Sequence, residues 1–251
     1  MIFDLRRLRT QWRELNARVD QLERKLRETD GIVDALLSDA DYTPDLDLGM
    51  NGQHRRKEVV EQLFDQFAFE QVLETGTFLG ATTGYFATKF RVPVYTSELM
   101  HRNYHFSRRT LRNLENVKLH LQDSRSFIRQ LSTNSEITSK RTFFYLDAHW
   151  YDDLPLEDEI DLLAPSWKDF VILIDDFQVP GDPGYQYDDY GPGKALTLQY
   201  LSAAVKRHQL SVFFPKASSK TETGKKRGYC ILASPTLADG MKGCDLLVVA
   251  P

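Results

Sequence analysis

The sequence predicts an α/β fold, an open and mostly parallel sheet preceded by a separate helical segment. Three observations carry that expectation. Short apolar runs recur and end in acids, helical periodicity fills the gaps between them, and residues 1–37 carry a heptad pattern instead of a globular one. Continuous apolar runs are expected of strands covered by helices on both faces. The bulk composition agrees: 251 residues, 41% hydrophobic and 27% charged, suit a globular chain. A formal net charge of −4 argues against wrapping nucleic acid. No apolar run reaches the roughly 18 residues of a membrane span, and the arginine-rich start lacks the apolar core of a signal peptide. Two cysteines, Cys230 and Cys244, have no metal-ligand spacing and read as free thiols of a reducing, bacterial-type cytoplasm. The histidines form no H-E-x-x-H pattern, so a zinc hydrolase gains no support.

Residues 1–37 step Leu5, Leu8, Trp12, Leu15, Val19, Leu22 and Leu26, three and four apart, and then pass Thr29 to Val33 and Leu36. With Leu5 at position a, Arg18 and Lys25 fall at g, and Glu23 and Asp30 at the following e positions. Opposite charges then meet across a parallel pair, which favours a homo-oligomer over a helix lying on its own domain. Gly31 is expected to interrupt the helix, and residues 38–54, acidic and bearing Pro44, to form a linker. Residues 55–251 remain for the α/β domain.

There, Val59, Val60, Leu63 and Phe67 mark a helix before a strand at Gln71 to Leu73. The strand ends in Glu74, followed by Gly76 and Gly80 in an E-x-G-x-x-x-G loop, and Phe86 and Phe90 continue as a helix. This is neither a G-x-G-x-x-G fingerprint nor a P-loop. Glycines let a ligand approach the backbone, and the helix start offers unpaired N–H donors. A second strand, Pro93 to Ser97, ends at Glu98, an acid able to accept both hydroxyls of a ribose. Tyr104 to Leu114 is helical, with arginines on its outer side. Val117 to Leu121 is a third strand followed by Asp123 and Ser124, where Asp123 either accepts from an adenine amino group or caps the next helix. Phe143 to Leu146 and Phe170 to Ile174 are the fourth and fifth strands, ending in Asp147 and in Asp175-Asp176. A loop from Val179 to Gly193, rich in Gly, Pro, Asp and Tyr, reads as a mobile flap. Ser211 to Phe214 and Tyr229 to Ala233 complete seven strands.

Ligands of an open parallel sheet bind beyond the strands' carboxyl ends, and six acids stand there: Glu74, Glu98, Asp123, Asp147, Asp175 and Asp176. Like charges in one crevice call for cations. A divalent metal on Asp147, Asp175 and Asp176 answers that need; carboxylate oxygens select magnesium first, with calcium or manganese as alternatives. His149 is the first candidate for general base and Asp147 the second. Trp150, Tyr151, Tyr185, Tyr187 and Tyr190 suit a carbohydrate or aromatic acceptor, or a subunit contact.

The glycine loop with its acid resembles the cofactor loop of class I S-adenosylmethionine (SAM) methyltransferases. Asp175 and Asp176 lie 28 and 29 residues after Asp147, which is similar to metal-dependent O-methyltransferases. The acids together with the flap resemble the macrocin-type sugar O-methyltransferases, whose relatives include cephalosporin hydroxylase-like proteins. The resemblance covers about Val59 to Ala233. It implies a Rossmann-like class I methyltransferase fold with an antiparallel last strand. It also implies SAM near Glu74, Thr75, Gly76, Thr77, Gly80, Thr82, Glu98, Asp123 and Ser124, and magnesium chelating neighbouring hydroxyls of a sugar, glycan or glycosylated metabolite. Catechol-type relatives carry a lysine three residues after the first metal acid; Trp150 stands there, so their base is not carried over. Two other functions compete: an NAD-type oxidoreductase using Glu98 on the ribose, and a non-enzymatic coiled-coil assembly protein retaining the fold.

Overall fold

The computed structural model describes residues 5–37, 45–149 and 153–250. Trp150, Tyr151 and residues 38–44 of the expected linker lie outside the described residues. The strands are β1 (Gln71–Thr75), β2 (Val94–Glu98), β3 (Val117–Leu121), β4 (Thr142–Leu146), β5 (Phe170–Ile174), β6 (Ser211–Pro215), β7 (Cys230–Ala233) and β8 (Leu247–Val249). They form one sheet in the order β3-β2-β1-β4-β5-β7-β6-β8. β1 to β5 pair in parallel, and β7 runs antiparallel between β5 and β6. The eighth strand is an addition to the seven expected. It is three residues long at the sheet edge, with Val248 and Val249 exposed, too short for a periodicity signal.

β1, β4 and β5 are buried at every position, as continuous apolar runs require. Alternate residues point to opposite faces. Leu73, Phe144 and Ile172 enter one core with Phe127, Ile160 and Trp167, whereas Val72, Phe143 and Val171 enter the other with Leu63, Phe64 and Phe86. The register Thr75↔Ser97, Thr75↔Leu146 and Leu146↔Ile174 brings the ends of β1, β2, β4 and β5 level. The chain runs outward from β1 to β3 and resumes at β4 on the other side of β1, so the order reverses between β1 and β4 and a crevice opens over those ends.

The helices are α1 (Leu5–Leu37), α2 (His54–Phe67), α3 (Ala81–Phe90), α4 (His101–Thr110), α5 (Ser124–Ser132), α6 (Ser135–Thr138), α7 (Leu156–Leu163), α8 (Leu198–Arg207) and α9 (Ala238–Met241). α1 is continuous through Gly31, contrary to the expected break. Gly31 is buried where α1 meets α4, and a methyl group there would lie 2.8 Å from the backbone of His101 and Arg102. The glycine allows two backbones to approach; it does not end the helix. Nearer its start, α1 exposes Trp12, Leu15, Val19, Leu22 and Leu26.

Two expected loose segments are packed. Leu46–Gly52, assigned to the linker, forms 3-10 turns with Met50 fully buried, and the Met50 N–H donates to Thr82 Oγ1 at 3.0 Å. The Val179 to Gly193 loop buries Val179 and Tyr185 in the core and is tied at Gln178 N to Leu196 O and at Asp188 N to Asp176 O, both 2.9 Å. These contacts pack parts of the loop against the sheet.

Candidate active site

The end of β1 presents Glu74 fully buried. One carboxylate oxygen accepts from the hydroxyls of Thr83 and of Thr96, the latter at 2.6 Å; the other, Oε1, has no protein partner. Burial pushes this carboxyl up to about 7, the threonines oppose the rise, and the Glu98 charge adds to it. Thr75 Oγ1 is likewise buried without a partner, while Thr77 and Thr96 share a hydrogen bond of 2.6 Å. Gly76 holds φ at +86° with its Cα against the Asp147 carbonyl, so a side chain there would collide with the end of β4. Gly80, at φ +88°, turns the chain into α3. The Thr82 hydroxyl is taken up by the Met50 N–H.

Glu98 at the end of β2 is 6% exposed and accepts from the N–H groups of Phe78 at 2.8 Å and Met100 at 2.7 Å. Burial raises it despite these bonds. The Leu99 N–H and the Asn103 side chain also donate to this carboxylate. Phe78, Leu99 and Met100 around it are more than half exposed. Three apolar side chains, Phe78 on the loop after β1 and Leu99 and Met100 on the loop after β2, beside a buried acid suit a flat heterocycle. They were not expected from the sequence, although Leu99-Met100 directly after a strand-end acid was a readable signal. Asp123 caps α5 through Arg125 N and Ser126 N, and Arg125 also pairs with its carboxylate at 3.0 Å. Burial would raise its pKa, but Arg125 outweighs that and lowers it. Of the two roles open to Asp123 the cap is therefore occupied. Ser124 beside it is buried.

The acids of β4 and β5 separate into two groups. Asp175, expected beside Asp147 and Asp176 as a ligand, is 1% exposed and committed elsewhere. Arg56, fully buried on α2, donates to Oδ1 at 2.6 Å. Tyr145 and Asn51 donate to Oδ2, the amide at 3.1 Å. The Arg56 guanidinium also bonds Arg227 O at 2.7 Å and lies 4.7 Å from the Tyr229 ring centre. A carboxylate saturated by a buried guanidinium has little left for an ion.

The second group is Asp147, His149 and Asp176, with ligand atoms all within 4.8 Å of one another. Asp176, at φ +52°, accepts from Arg227, which also pairs with Asp188. Burial would lift Asp176, but His149 and Arg227 prevail and hold it below the ordinary carboxylate range. Asp147, one-third exposed, is driven the other way, first by desolvation and then by the charges of Asp175 and Asp176. Glu159 on α7 is a buried acid that sequence reasoning missed; burial pushes it up to about 7, and it faces Ser124 and Thr75. Of the expected acceptor aromatics, Tyr185 is in the core with its hydroxyl on Ala217 O at 3.2 Å, and Tyr190 bonds Asp188.

The residues fit a sulfonium cofactor carrying an ammonium and a ribose: an unpartnered buried carboxylate oxygen at β1 and an acid at β2 flanked by apolar surface. The donor set at β4 and β5 fits a divalent cation. No family model matches the chain, and no curated protein matches its sequence. Solved structures do match. An O-methyltransferase from Bacillus cereus in complex with SAH aligns with a TM-score of 0.50 at 17% identity, over 82% of this chain and 87% of that one. The O-methyltransferase TomG from Streptomyces achromogenes, involved in tomaymycin synthesis and solved with SAM, aligns with a TM-score of 0.50 at 13% identity, over 71% and 79%. With the strand order, the antiparallel β7 and the glycine turn after β1, these matches establish that the chain has the Rossmann-like class I methyltransferase fold.

Proposed function

We propose that the chain is a SAM-dependent O-methyltransferase whose acceptor is a hydroxyl of a sugar, glycan or glycosylated metabolite. The observation that carries the reading is Glu74, buried at the turn after β1 with Oε1 unpartnered. An oxygen left without a partner in the interior is costly unless a ligand completes it. When bound, SAM supplies an activated methyl group, and a divalent cation, expected from the acids alone to be magnesium, supplies positive charge beside the acceptor oxygen. The chain's own residues do the rest. Glu74 accepts from the cofactor ammonium and Glu98 from the ribose hydroxyls, while Phe78, Leu99 and Met100 exclude water from the base. Asp147 and Asp176 hold the cation, and Asp147, the most exposed of these acids, takes the proton released by the acceptor. Orientation of acceptor oxygen and methyl carbon in line for displacement is the main catalytic contribution. The acceptor class rests on the resemblance of the acid pattern to sugar O-methyltransferases.

The same reading includes self-association through α1. Its exposed seam of Trp12, Leu15, Val19, Leu22 and Leu26 and its g-to-e charge pattern support a parallel pair. Melting the full chain with S-adenosylhomocysteine (SAH) or with NAD tests the cofactor, since only a native-state ligand stabilises. A rise with SAH and none with NAD is expected; the reverse would make the chain an oxidoreductase.

A further inference from the structure

The cluster at the ends of β4 and β5 contains a nitrogen that the acids alone did not predict. His149 is 5% exposed, and its Nε2 has no hydrogen-bond partner. Three carboxylates face that atom: Asp188 at 3.5 Å, Asp176 at 3.7 Å and Asp147 at 3.8 Å. These separations are too long for hydrogen bonds. They are close to the roughly 3 to 3.5 Å that separates atoms bound about 2.1 Å from a common ion. Arg227 grips Oδ1 of Asp176 and Oδ1 of Asp188, and the Tyr190 hydroxyl donates to Oδ2 of Asp188, so Oδ2 of Asp176 is the one left turned toward His149. Arg227 offsets Asp188, and the ionised carboxylates of Asp147 and Asp176 balance the charge of one divalent ion.

We propose that His149 Nε2, Asp147 and Asp176, whose ligand atoms lie within 4.8 Å of one another, together bind a first-row transition ion of the manganese(II) type in preference to magnesium or calcium. This rests on the divalent-cation part of the function proposed above, and it changes both the ligand set and the ion. Imidazole nitrogen is a poor ligand for magnesium and calcium and a good one for first-row transition ions, while carboxylates keep the site hard enough for manganese. Asp188, held by Arg227 and Tyr190, and Asp175, held by Arg56 and Tyr145, are not ligands. His149 becomes a ligand instead of a general base.

The test is a manganese titration of the full chain, read by loss of the free-ion electron paramagnetic resonance signal, with magnesium and calcium as competitors. SAH-induced thermal stabilisation is measured separately. Manganese is expected to bind one site at least tenfold more tightly than magnesium. His149→Gln and Asp147→Asn are each expected to weaken manganese tenfold or more while SAH still stabilises. On the wild-type chain, electron spin echo modulation is expected to show a coupled imidazole nitrogen, which needs no variant to fold. Equal affinity for magnesium and manganese, or no nitrogen coupling, would overturn the assignment of His149 while leaving a divalent site. Absence of any divalent binding in a chain that still responds to SAH would remove that site as well.

Discussion

Replacing Arg56 with methionine is the sharpest perturbation of the frame beneath the site. Arg56 and Asp175 are 0% and 1% exposed and meet at 2.6 Å, so neither charge has water to fall back on. Removing one partner of such a pair strands the other charge in the interior, an effect of about 3 to 5 kcal/mol. The contact with Tyr229 at 4.7 Å adds about 0.5 to 2 kcal/mol when desolvated. Methionine returns part of this through burial of its own side chain, so a net loss of about 4 kcal/mol is expected. For a chain of this size that corresponds to a fall in Tm of roughly 8 to 16 °C. Asp175→Asn added to Arg56→Met removes the stranded charge and should recover about half of the loss. Urea melts of the wild type, both single variants and the double variant form the cycle, and an unchanged slope would show that the unfolded state is the same. If Arg56→Met melts within 1 kcal/mol of the wild type, or the double variant is no more stable than Arg56→Met, the buried pair does not act as described.

Two further outcomes follow from the same structure. Glu74 and Glu159 are both pushed up to about 7 from an ordinary 4.5, so the folded ligand-free chain favours their neutral forms. Their contribution to stability is complete below about pH 4.5 and is lost as pH rises through 7. Stability measured from pH 5 to 8 should therefore fall less steeply in Glu159→Gln than in the wild type, and an identical slope would contradict the assignment. Gly31→Val should force α1 from α4, since the first added carbon already lies 2.8 Å from the α4 backbone; a loss of about 1 to 3 kcal/mol and faster hydrogen exchange at the C-terminal end of α1 are expected.

The sheet was legible because its signal is local. Val-Ile-Leu-Ile before Asp175 and Phe-Phe-Tyr-Leu before Asp147 are apolar runs of strand length, and the acids mark their ends. The glycine turn after Glu74 was readable for the same reason. The partner of Asp175 was not, because Arg56 lies 119 residues away and nothing in its surroundings distinguishes it from a surface arginine. The result was an ion ligand assigned to a residue that is half of a buried pair. Gly31 shows the opposite failure: the residue was noticed, but a glycine demanded by a neighbouring backbone looks the same in sequence as one that ends a helix. The 179–193 loop has loop composition yet is held by Tyr185 in the core and by Arg227 on Asp188, contacts that composition does not report. His149 was singled out by its proximity to Asp147. Its orientation toward three carboxylates, which changes its proposed role, could come only from the fold.

The most direct measurement is the crystal structure of the full chain with SAH. The account predicts the ligand in the crevice over β1 and β2, with its ammonium within hydrogen-bonding distance of Glu74 Oε1, its ribose hydroxyls on Glu98 and its adenine among Phe78, Leu99 and Met100. A chain that takes up no SAH, or that holds it away from Glu74 with Oε1 still unpartnered, would contradict it.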